Sequence, residues 1–143
     1  MKNKTLLISF LIMTLLSGCL GFVYNKKIVD KYWLIAIDTK AEMSLSYELG
    51  NGNFIGIIGG GVFALGNNAD YIIVKQHPLI HFPNSINKQI TNYYIVPIDR
   101  SVSQYKVQEN FIGPLNEIEF AKQKEKLKIP IDLVFKIVIK ENE

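Results

Sequence analysis

Apolar and polar residues alternate without a fault over Met43-Ser44-Leu45-Ser46-Tyr47-Glu48. A period of two is that of a strand with one face buried, so Met43, Leu45 and Tyr47 are expected inside and Ser44, Ser46 and Glu48 toward water. Residues 32–38 (Tyr-Trp-Leu-Ile-Ala-Ile-Asp) are aromatic and branched and read as a preceding strand. Asn51-Gly52 is a strong hairpin signal, because both residue types tolerate positive φ, and residues 54–58 are then the return strand. Gly59-Gly60-Gly61 reads as a bulge, bend or turn. Residues 62–66 and 71–76 follow as strands, the latter apolar enough to lie centrally. Connections this short predict antiparallel pairing, and residues 43–76 read as one continuous meander.

His77-Pro78 ends that run, and residues 79–89 read as a loop. Further strands are expected at 90–98, 101–107 and 131–139. Between them lies the one strong helical signal. Asn116 with Glu119 three residues later makes a capping box, Glu117 and Glu119 suit the positive helix end, and Lys122, Lys124, Lys126 and Lys128 suit the other. The stripe Leu115, Ile118 and Ala121, flanked by Phe120 and Leu127, is the expected buried face, with Pro130 as the stop. The fold class is thus α+β: an antiparallel meander of about five to six strands with one helix, about 115–128, packed on it.

The first apolar run is of another kind. Lys2 and Lys4 precede an apolar stretch at 6–16, closed by Ser17 and Gly18, which is a secretory signal rather than a span of about 20 residues. Its end, Leu16-Ser17-Gly18-Cys19, resembles the lipobox of bacterial lipoproteins at all four positions. The resemblance implies cleavage before Cys19 and a diacylglyceryl thioether on its sulfur, a two-chain anchor that binds membranes stably. The expected organisation is a signal peptide at 1–18, a lipidated tether at 19–31 and a single globular domain at 32–143. The expected location is the extracytoplasmic face of a cell or outer membrane.

Removing the signal leaves about 125 residues and lowers the formal charge from +3 to about +1. That is one domain's worth of chain, with no case for nucleic-acid binding. Cys19 is the sole cysteine, so once lipidated it leaves no thiol for disulfide, metal or nucleophilic work.

Three segments together resemble a family of small bacterial lipoproteins known only as a domain of unknown function. They are Ser46-Tyr47-Glu48-Leu49-Gly50-Asn51-Gly52, Tyr71-Ile72-Ile73-Val74-Lys75-Gln76-His77-Pro78, and Gly113-Pro114-Leu115 leading to Glu119-Phe120, with Asn92-Tyr93-Tyr94-Ile95-Val96 between them. The resemblance runs from about residue 32 to about 129. It implies a single anchored domain and brings no catalytic residues.

Candidate chemistry is thin. His77 and His81 stand four apart, but Pro78 removes the helical spacing and no third ligand is in view, so no metal site is expected. Gly59-Gly60-Gly61 lacks the Lys-Ser/Thr of a phosphate loop, and no Gly-x-Ser-x-Gly elbow accompanies the serines. Asp38, Glu48, Asp70 and Asp99 form no pair that spacing can assign, and whether His77, Asp99 and Arg100 converge is left to the structure. Lys122 to Lys128 alternate and so spread around a helix, while Trp33, Tyr93 and Tyr94 are either core or a binding surface. The expectation is a non-enzymatic binding or accessory module without cofactor, attached to the membrane through Cys19 and with a protein partner in the envelope. The alternatives are an immunity or inhibitor lipoprotein against an envelope-acting toxin or hydrolase, and a small envelope hydrolase.

Overall fold

A computed structural model describes residues 21–80, 85–101, 103 and 106–139. Among these residues the chain forms eleven strands and one α-helix, an α+β arrangement of antiparallel sheets. The strands are β1 (Tyr24–Val29), β2 (Tyr32–Ala36), β3 (Ser44–Gly50), β4 (Asn53–Ile58), β5 (Val62–Asn67), β6 (Tyr71–Gln76), β7 (Leu79–Ile80), β8 (Ser85–Ile86), β9 (Asn92–Pro97), β10 (Ile112–Leu115) and β11 (Lys136–Ile137). The helix, α1, is Glu117–Lys126.

The strands do not make one meander. They divide into a four-stranded sheet ordered β1-β2-β3-β4, a five-stranded sheet ordered β10-β9-β6-β5-β11, and the short pair β7-β8. The division falls at Gly59-Gly60-Gly61, where the chain leaves the first sheet and begins the second. Short connections enforce antiparallel neighbours only when the chain stays in one sheet, and here the glycines let it turn out of that plane.

Side-chain alternation builds the layers. Tyr32, Leu34 and Ala36 on β2, with Leu45 and Tyr47 on β3, meet Ile72 and Val74 on β6 and Tyr94 and Val96 on β9 in one core. Met43 and Leu45 are fully buried, as their alternation requires. The opposite face of the second sheet presents Ile73, Tyr93 and Ile95 to Phe120, Ile129 and Leu133 of the helical layer. The second sheet is therefore buried on both sides, which explains why β6 and β9 read as nearly unbroken apolar runs. Each fully buried Leu or Ile contributes about 2 kcal/mol.

The helix forms where its cap predicts. Asn116 Oδ1 accepts from Glu119 N–H at 3.0 Å and Glu119 Oε2 accepts from Asn116 N–H at 2.9 Å. Phe120 is its buried residue, whereas Ile118, expected inside, is 69% exposed. Lys128, at φ 54, ends the helical turn before Pro130 is reached.

Four other expectations change. Residues 24–29 form β1, hydrogen-bonded to β2, rather than a linker. The loop at 79–89 contains β7 and β8. Around 101–107 the described residues form turns and a short 3-10 helix, Val107–Glu109, whose Val107 enters the core. Only Lys136–Ile137 of the expected last strand pairs, with β5, because residues 129–135 instead cover the second sheet beside α1.

Candidate functional site

The outer face of the first sheet carries the most unusual surface. Strand alternation places Lys27, Trp33, Ser46 and Gly56 in one cross-strand row, with Glu48 opposite Phe54 in the next. Gly56 leaves its own place in that row open, and aromatic rings lie on the face beside it. Trp33 and Phe54 meet edge to face at 5.6 Å, and Phe22 meets Phe54 edge to face at 5.7 Å. The indole Nε1–H of Trp33 donates to Glu48 Oε2 at 3.0 Å, and the Lys27 ammonium lies 5.9 Å from the Trp33 ring. This face was expected to be wet, yet Ser46 is only 5% exposed. Its serine–serine–glutamate sequence gave no sign of the rings supplied by three other segments.

Phe22 matters because of where it sits in the chain. The segment before β1 returns across the sheet to reach Phe54, so the chain enters the domain from this face. Phe22 and the adjacent Val23 remain 43% and 52% exposed.

A groove of about 560 Å³ runs along the edge strand β1, opposite β11 and the segment before it. Lys26, Lys27 and Lys136 line it against the single carboxylate of Asp132. The edge beside the aromatic face is thus cationic.

A third polar cluster joins the sheets. Gln76 Nε2 donates to the carbonyls of Gly59 (3.1 Å) and Gly60 (2.9 Å), while its Oε1 accepts from Tyr94 O–H (2.9 Å) and Asn92 Nδ2 (3.4 Å). Both halves of the amide are thereby used, which makes this a structural knot. Gly61 is at φ +92, and a Cβ there would overlap the His77 carbonyl oxygen. The triple glycine is therefore explained by backbone geometry.

The other singled-out residues are dispersed. His77 stacks on Phe63 with centroids 4.1 Å apart, and its Nδ1 lies 2.8 Å from the Ile90 carbonyl oxygen. His81 and Cys19 lie outside the described residues, among which no group of three potential metal ligands occurs. Asp99 Oδ1 accepts from both N–H and Oγ–H of Ser101, and Asp70 sits in a turn organised by Asn68. His77 and Asp99 are thus held by separate local partners. Tyr93 packs on Phe120 and Phe135 under α1, with Lys75 over its ring at 5.2 Å, and Tyr94 faces Phe111 in the inter-sheet core. Burial pushes both hydroxyls above the usual tyrosine range, helped at Tyr93 by the Glu117 carboxylate and partly offset at Tyr94 by Asn92. Of the three aromatics named from sequence, only Trp33 lies on the outer face of the first sheet.

The family model described as a protein of unknown function (DUF3997) matches residues 30–140. This extends past residue 129, where the resemblance read from sequence ends, and takes in β11. No curated protein and no solved structure matches the chain.

Proposed function

The chain belongs to the family described as a protein of unknown function (DUF3997), and from that premise we propose that it is a lipid-anchored binding or accessory module without catalytic activity, held on the extracytoplasmic face of a membrane through Cys19. The observation that carries this reading is Leu16-Ser17-Gly18-Cys19, a complete lipobox holding the chain's sole cysteine at the end of a short signal-like run. Two acyl chains on one residue anchor a domain stably without a spanning helix. Among the described residues no helix is long and apolar enough to cross a membrane.

The architecture supports a binding role. Gln76, Asn92, Tyr94 and Asn116 are committed to bonds that join sheets or cap the helix. Among the exposed apolar side chains, Ile118 on the helix and Ile131, Val134 and Ile137 in the segment after it are 57–93% exposed. Such residues suit a protein partner.

Two measurements test the proposal. Fatty acid supplied to growing cells should label the protein, and Cys19→Ser should abolish the label. The lipidated protein in detergent should retain a specific partner that Ile131→Asp/Val134→Asp loses. Labelling that survives Cys19→Ser would overturn the anchor, and capture unaffected by the double substitution would overturn this binding surface.

A further inference from the structure

We propose that the outer face of the first sheet lies against an anionic phospholipid surface, with Phe22 and Val23 at the boundary between headgroups and acyl chains and Lys27, which shares that face with Trp33, among the headgroup phosphates. The inference rests on the lipidation of Cys19 and adds to it an orientation.

Chain length is the first argument. A tether of 13 residues, as 19–31 was expected to be, would let the domain tumble freely above the membrane. Instead β1 begins at Tyr24, and Phe22 is already seated on Phe54. Three residues span at most about 11 Å. The lipidated Cys19 therefore holds Phe22, and the sheet face on which it rests, within about one headgroup layer of the anchor.

The chemistry of that face is the second. Phe22 and Val23 present apolar surface next to the attachment point, and Trp33 is a half-buried indole with its polar edge engaged. Aromatic rings with one polar end are suited to the bilayer interface. Glu48, which shares the face, has an oxygen bonded to the indole N–H, while Lys27 on the same face carries its ammonium group 5.9 Å from the Trp33 ring. A lysine close to an anionic leaflet is attracted within a Debye length of it, so the short tether is what lets Lys27 act. With this face down, the second sheet and then α1 are stacked away from the bilayer. That leaves Ile118 and Ile131 open to a partner.

Trp33 is the sole tryptophan and hence a built-in reporter. Lipidated mature protein beginning at Cys19, its lipid verified by intact mass, is reconstituted into vesicles of phosphatidylcholine and phosphatidylglycerol with or without bromine on the acyl chains. The expected result is a blue shift of Trp33 emission and strong quenching by brominated chains. Quenching should be lost in Phe22→Ser, and Lys27→Gln should weaken docking roughly fivefold. Phe22 is nearly half exposed, so Phe22→Ser should keep the thermal unfolding of the parent. Equal emission in brominated and plain vesicles, from protein carrying its lipid, would overturn the orientation while leaving the anchor intact. A missing lipid mass would instead remove the anchor itself. A photocrosslinker at position 22 that captured a protein rather than lipid in cells would assign this face to a protein and likewise overturn the proposal.

Discussion

Gln76 shows how one side chain decides the relation between the two sheets. Its amide bonds the carbonyls where the chain leaves the first sheet and the Tyr94 hydroxyl in the core of the second. Replacing it with Leu strands the buried Tyr94 hydroxyl and also removes the part-buried bonds to Gly59, Gly60 and Asn92, whereas Tyr94→Phe removes one donor and leaves Gln76 Oε1 with Asn92. Since an unsatisfied buried group costs far more than a missing net hydrogen bond, Gln76→Leu should destabilise by about 3 kcal/mol and Tyr94→Phe by about 1 kcal/mol in urea denaturation. Tyr32 makes a second residue-scale prediction. Burial first, then the neighbouring Tyr47, Asp30 and Asp99, push its hydroxyl up to about 12. Below pH 10 the folded and unfolded chains both hold the proton, so the contribution is complete there. Between pH 10 and about 12 the unfolded tyrosine ionises while the folded one does not, so stability falls as pH rises. The loss is on the order of 2 kcal/mol, and Tyr32→Phe should flatten that part of the alkaline unfolding curve.

At the scale of elements, local signals were legible where the chemistry was local. The Asn116–Glu119 box, the Asn51-Gly52 turn at positive φ and the central place of β6 all follow from neighbours in the chain. The change of sheet at Gly59–Gly61 did not, because its partners, Gln76 and His77, come from β6 and the residue beyond it. The outer aromatic face was hidden for a similar reason: Phe22, Trp33 and Phe54 belong to three segments and meet only after pairing. Residues 24–29 read as a tether because their exposed lysines mask a strand bonded along one edge only. The two kinds of element respond differently to substitution. Asn116→Ala should cost about 1 kcal/mol, a lost helix cap. Gly61→Ala should cost more, about 3 kcal/mol, since strain at positive φ adds to overlap with the His77 carbonyl, and thermal unfolding of the pair would rank them.

For the whole molecule, the layers run from the first sheet through the second to α1, and the chain enters at the outer face of the first. That order gives the proposed anchor a mechanical meaning: one side of the domain is tied to the membrane and the other is presented to whatever it binds. The account depends on the state of Cys19. Intact-mass measurement of the protein extracted from membranes tests it most directly. The predicted result is a chain that begins at Cys19 and carries a diacylglyceryl group. A chain that still begins at Met1, or one bearing an unmodified Cys19, would contradict it.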